Sequence, residues 1–157
     1  MAKAQDVPLA GGDEFAAAAG RVVAVRAREV FEQSAGVLDT TDIERVHDMR
    51  VATRRLRAAL EVFRDAFPTD AFKPVLRDVK RLADALGERR DPDVQIEHFS
   101  GLRDELPPAD RPGVELLLDR LRADQARGNE HLAQALAEMR AGGLEDRLQA
   151  LAAMSVA

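Results

Sequence analysis

Four side chains pose the chemical question: His47, Arg50, Arg54 and Arg57, in the run Val46-His47-Asp48-Met49-Arg50-Val51-Ala52-Thr53-Arg54-Arg55-Leu56-Arg57. Wound as a helix at about 100° per residue, this run gathers the imidazole and three guanidiniums into one stripe about 80° wide. Val46, Met49, Thr53, Leu56, Leu60, Phe63 and Phe67 fall on a separate arc, which predicts a core face beside the cationic one. Arg55 lies apart from both. Like charges three and four residues apart repel by roughly 0.2–0.5 kcal/mol per pair, and Glu61 is the only acid on the stripe to relieve them. A stripe kept at that cost points to an anion. Guanidiniums form charge-assisted, often bidentate bonds with phosphate oxygens. His47 adds a donor when protonated, a form that a nearby polyanion favours.

The pattern indicates binding rather than turnover. There is no Gly-rich phosphate loop ending in Lys-Ser/Thr and no His-Glu-x-x-His. Cysteine is absent, which removes thiolate metal sites and cysteine nucleophiles. The histidines do not cluster, and no carboxylate cage stands out. His98 and His131 read as surface residues. Neither a cofactor nor a metal is expected, and the protein is not expected to be an enzyme.

The helix that carries the stripe has clear bounds. Thr41-x-x-Glu44 is a capping-box pattern that predicts its start, and Pro68 stops it after Phe67. Ahead of it, Asp13 can cap a first helix with an apolar face of Phe15, Ala18, Val22, Val25 and the Val30/Phe31 region, ended by Gly36. A third helix begins within Thr69–Pro74 and ends at Gly87, with Val75, Val79, Leu82 and Leu86 as its core face. Lys73, Arg77 and Lys80 share a different face of it. Two of the three lysines in a chain with twenty arginines stand on this stripe, where a compact ammonium suits a chain of phosphate oxygens. Asp91 as cap and Pro92 in a first turn predict a short helix from 92 to about 104. Pro107-Pro108 break the chain. Asp110 then caps a helix with Val114, Leu117, Leu118, Leu121, Leu132 and Leu136, weakened at Gly128 and ended by Gly142-Gly143. A last amphipathic helix spans 144–154, with Leu144, Leu148, Leu151 and Met154.

No segment alternates as a strand would. The expected fold is all-α: an antiparallel four-helix bundle over 12–143, a mobile tail over 1–11, and a short C-terminal helix over 144–157. No secretory leader and no membrane span are expected, which makes the chain soluble and cytoplasmic.

Net charge is −5, but it is segregated. Residues 1–44 carry four basic and eight acidic side chains, residues 45–90 twelve and seven, and residues 91–157 seven and thirteen. A basic middle between acidic flanks favours a focused polyanion site over general nucleic-acid binding, which usually shows a basic domain. The only aromatic residues are six phenylalanines, so the stacking platforms that hold single-stranded nucleic acid are poorly supplied.

Val46-His47-x-x-Arg50-Val51-x-x-Arg54-Arg55-Leu56-Arg57 resembles the signature of the CHAD family, the conserved histidine α-helical domain. Leu82-x-x-Ala85-Leu86-Gly87-x-x-Arg90-Asp91-x-Asp93-Val94 resembles that family's second signature. The resemblance covers about residues 13–141. It implies an α-helical binder of inorganic polyphosphate, found with polyphosphate granules, that holds the chain in a channel of His, Arg and Lys. The matching positions are His47, Arg50, Arg54, Arg57 and Arg90, with Lys73, Arg77 and Lys80 added on the second stripe. A full family domain looks like two four-helix halves, each with its own motif, whereas nothing after Arg57 repeats Val-His-x-x-Arg. The expectation that follows is a symmetric homodimer whose two copies form one channel, with Leu144, Leu148, Leu151 and Met154 at the interface. Two other classes stay open on the residues alone: a nucleic-acid or nucleotide module using the same stripe, and a helical scaffold that pairs it with an acidic protein.

Overall fold

The computed structural model describes residues 3–155. The described residues form five α-helices and no strands: α1 (Phe15–Glu32), α2 (Ile43–Val62), α3 (Thr69–Glu105), α4 (Arg111–Ala141) and α5 (Leu144–Ala153). Single turns of 3₁₀ helix at Arg64–Ala66 and Pro108–Asp110 lie in the α2–α3 and α3–α4 connections. The all-α bundle with a short C-terminal helix therefore stands as expected.

The stripe helix buries the face read from its sequence. Val46, Met49, Thr53, Leu56 and Leu60 are all buried. Across from them lie Val75, Val79, Leu82 and Leu86 of α3, also buried. Thr53 is the one polar member, and its hydroxyl donates to the Met49 carbonyl at 2.8 Å. The start of α2 differs from the capping-box expectation. Thr41 is held by Asp39, which accepts its N–H at 2.9 Å and its hydroxyl at 2.7 Å, and the helix begins at Ile43. Those two bonds, with Arg45 nearby, hold the Asp39 carboxyl below its ordinary range against a small effect of desolvation.

The largest departure is α3. The helices expected on either side of Gly87–Asp91 are one helix of 37 residues that runs through Pro92. Asp91 caps nothing. Proline at position 92 removes the bond its N–H would give to the Glu88 carbonyl. Tertiary packing compensates. Gly128 of α4 lies against that turn, so close that a Cβ there would come within 3.0 Å of the Glu88 carbonyl oxygen and 3.1 Å of the Arg89 Cα. Beneath the turn, Arg89 is fully buried and pairs with Asp93 one turn on. Arg89 Nε also donates to Asn129 Oδ1 at 3.1 Å, and Gln125 donates to Asp93 at 2.7 Å. Asn129 in turn donates to the Leu38 carbonyl at 3.1 Å, tying the α1–α2 connection to α4. Gly128 is thus a packing requirement rather than a weak point.

In α1 the buried face is rotated from the one expected. Ala16, Ala19, Val23, Ala27 and Val30 face inward, while Phe15 is 55% exposed. The reason lies in α5. A Cβ on Gly20 would stand 2.5 Å from the Ala152 carbonyl oxygen, so the small-residue face of α1 is the one that admits α5 at close range. Asp13 does not cap α1; it accepts the Ala10 N–H at 2.8 Å and pairs with Arg21. Leu144, Leu148 and Leu151 lie in the bundle's own core. They are therefore not free to meet a second copy, and of the four residues assigned there only Met154 stays exposed. The tail expected to be mobile docks on α1 at Gln5: its side chain donates to Glu32 at 3.1 Å, and its carbonyl accepts from Arg26 at 3.0 Å.

Candidate functional site

Arg50, Arg54 and Arg57 form one wall of an open groove of about 580 Å³ between α2 and α3. Their spacing of four and three residues holds them on one side of α2, as the sequence predicts. The other wall comes from α3: Ala83, Asp84, Gly87, Glu88 and Asp91. The two small residues leave the floor open. The three acids repeat the arginine spacing in mirror order, so the groove faces a row of cations with a row of anions. Among the described residues, Arg50, Arg54, Asp84 and Asp91 take part in no ion pair within 4 Å. Sequence reasoning weighed only the arginine row. The acid row was legible as a spacing, but nothing in the sequence places α3 opposite the arginines.

Arg57 and Lys80 meet at Glu61. Arg57 Nε donates to Glu61 Oε1 at 3.1 Å, and the Lys80 ammonium lies 3.5 Å from the same oxygen. The hydrogen bond from Arg57 is the main reason that the Glu61 carboxyl sits below its ordinary range; slight burial opposes it, and the Arg57 and Lys80 charges reinforce it. Lys80 therefore joins the α2 arginines at the end of the groove.

The other members of the second stripe diverge. Arg77 faces a pocket of about 240 Å³ shared with α4 and α5, where Met139, Leu144 and Arg147 line the wall. It lies 3.4 Å from Asp78, which also accepts from Arg147 at 2.7 Å. Burial pushes the Asp78 carboxyl up, but the hydrogen bond and charge of Arg147, helped by Arg77, outweigh it and hold the group below its ordinary value. Lys73 lies in a separate hollow with Arg64, Asp65, Phe67, Thr69 and Phe72. One face of α3 on a helical wheel thus serves three different neighbourhoods.

His47 is half-buried near the start of α2, with Glu44 and Asp48 on the same side, their ligand atoms within 4.8 Å of one another. This cluster was not anticipated. His47 and Asp48 stand three and four residues, about one helical turn, after Glu44; Glu44 is exposed and the other two are half-buried. The Arg90 guanidinium reaches within 4.0 Å of Glu44, which opposes a bound cation. Arg90 itself is only 14% exposed and donates to the Ile43 carbonyl at 3.4 Å. It fastens α3 to the first turn of α2, at the end where His47 stands. The structure brings His47 and Arg90 to one end of α2, lines the groove with Arg50, Arg54 and Arg57, adds Lys80 through Glu61, and separates Arg77 and Lys73.

Fold and site together define an all-α bundle with a groove built for charged groups. More specifically, the chain belongs to the CHAD domain family, whose sequence model matches residues 21–156 and so takes in α5 as well. The family is associated with phosphate-related binding. No curated protein and no solved structure matches the chain. Among the described residues no helix is long and apolar enough to cross a membrane.

Proposed function

We propose that the protein binds inorganic polyphosphate noncovalently, along the arginine wall of the α2–α3 groove. The observation that carries the assignment is the row of Arg50, Arg54 and Arg57 lining one open groove, with Arg50 and Arg54 free of ion pairs. Seven residues of helix span about 10.5 Å, so the row spreads three guanidiniums along several phosphates of an extended chain. Lys80 extends the row, and His47 and Arg90 mark the end towards the start of α2.

The acid wall shapes what can bind. Asp84, Glu88 and Asp91 repel a polyanion, so the chain lies against α2 and away from α3. A wide polyanion such as duplex nucleic acid covers both walls and meets the carboxylates, which favours a thin phosphate chain. The groove is also open to solvent, where each contact is screened by salt. Calorimetric titration with polyphosphate at stated salt tests the assignment. The triple variant Arg50→Ala/Arg54→Ala/Arg57→Ala is expected to lose about tenfold or more in affinity, while Arg64→Ala binds as wild type. Neutralising the opposite wall with Asp84→Asn/Glu88→Gln/Asp91→Asn is expected to tighten binding. A triple arginine variant that binds as well as wild type sinks the assignment, and affinity that ignores salt removes its electrostatic basis.

A further inference from the structure

The three groove arginines do not stand alike. Among the described residues Arg50 and Arg54 take part in no ion pair, whereas Arg57 is already held. Its Nε donates to Glu61 Oε1 at 3.1 Å, and the Lys80 ammonium reaches the same oxygen from α3 at 3.5 Å. Two cations from two helices thus converge on one carboxylate oxygen, which marks where an anionic oxygen sits between them. The helix itself does not favour an acid there. Glu61 stands in the last turn of α2, which ends at Val62, and the helix dipole disfavours negative charge at that end. Its side chain is 44% exposed, while its neighbours Ala59 and Leu60 are buried, so it can swing out without opening the core.

We propose that the Oε1 position of Glu61 is a phosphoryl-oxygen subsite of the polyphosphate site, filled in the free protein by the chain's own carboxylate. Glu61 is a tethered competitor: it holds Arg57 and Lys80 until a phosphate chain displaces it. This rests on the polyphosphate reading and adds the residue that sets its threshold. An exposed ion pair is weak and readily given up, and phosphate oxygens make charge-assisted bonds with the same donors. A chain seated on Arg50 and Arg54 brings its next phosphates to Arg57 at high effective concentration. A single small anion lacks those anchors and has to displace the carboxylate unaided. The subsite therefore favours chains over isolated phosphate.

Two other roles for Glu61 predict different results. A carboxylate that orients Arg57 towards the ligand stays in place, and its loss weakens binding. A carboxylate that merely repels the polyanion acts at a distance, and its effect does not depend on Arg57 or Lys80. A tethered competitor acts through the two cations it holds.

Calorimetric titration of the full chain with polyphosphate at low ionic strength separates the three, with helical content by circular dichroism as the folding control. Glu61→Gln is expected to tighten binding about twofold to fivefold, the range of an exposed ion pair. In an Arg57→Ala/Lys80→Ala background, where Arg50 and Arg54 still bind, the same substitution is expected to gain little. Arg57→Ala is expected to weaken binding more in the Glu61→Gln protein than in wild type. The Glu61 carboxyl carbon gives a second readout by NMR. Arg57 on α2 and Lys80 on α3 hold its titration below the ordinary range; saturation with polyphosphate takes both away and is expected to move it up. A Glu61→Gln variant that binds as wild type or more weakly overturns the proposal. So does a gain equally large without the two cations, and so does a carboxyl titration that polyphosphate leaves unmoved. Any of these results beside weakened binding by Arg50→Ala/Arg54→Ala removes the subsite and leaves the groove assignment standing, whereas a wild type that binds no polyphosphate removes both.

Discussion

The molecule uses arginine with carboxylate in two ways, a short distance apart on α3. In the α2–α3 groove, Arg50, Arg54 and Arg57 face three acids across open solvent, largely without pairing. Beneath the turn at Pro92, Arg89 and Asp93 are fully buried and pair directly, with Gln125 and Asn129 as further partners. One guanidinium nitrogen of Arg89 and one carboxylate oxygen of Asp93 have no protein partner even so. The buried pair fixes how α3 crosses α4, and it is closed to ligands. The groove contributes little to folding, and its charges remain available. Burial, not residue type, separates the structural arginine from the groove arginines. Arg89 and Arg90 make the point at closest range, since adjacent positions serve a core pair and a helix-to-helix fastening.

The comparison breaks most visibly at Arg89. Arg89→Ala leaves Asp93 buried without its cation and is expected to cost about 3–5 kcal/mol of stability in denaturant unfolding. The double variant Arg89→Met/Asp93→Leu removes both charges and is expected to recover much of that loss; if it is no better than Arg89→Ala, the cost is not one of stranded charge. Next comes the glycine that lets α4 approach the pair. Gly128→Ala is expected to destabilise by about 1–3 kcal/mol, because a methyl group there presses on α3 backbone rather than on a flexible side chain. An unchanged midpoint would mean that the two helices are not so close. Arg54→Ala sharpens the comparison from the other side: stability is expected to stay within about 0.5 kcal/mol of wild type while polyphosphate affinity falls.

The smallest expected effect is one of pH. The folded Asp78 carboxyl lies below its unfolded value, so its charge stabilises the fold above the ordinary carboxylate range. That contribution is lost as pH falls through the folded value. With its side chain 22% exposed, the group is expected to contribute about 1 kcal/mol or less. Asp78→Asn should flatten the acid limb of thermal stability slightly while leaving polyphosphate binding at neutral pH unchanged, and a steep remaining limb would assign the acid sensitivity to other carboxylates.

Short-range periodicity was enough for much of this protein. It determined that the chain is helical, that Val46, Met49, Leu56 and Leu60 turn inward on α2, and that Arg50, Arg54 and Arg57 share another side of that helix. Residues three and four apart share a helical face whatever surrounds the helix. What each face meets was decided elsewhere. Asp91-Pro92 has the local form of a helix start, yet α3 continues because Gly128, Gln125 and Asn129 pack against that turn from residues more than thirty positions away. The inward face of α1 was chosen by the close approach of α5 to Gly20, against the larger side chains that the pattern favoured. The acid row opposite the arginines, the separation of Arg77 and Lys73 from them, and the burial of Leu144, Leu148 and Leu151 follow equally from which helix lies beside which. Those choices depend on fit between distant surfaces, which only the tertiary structure brings together.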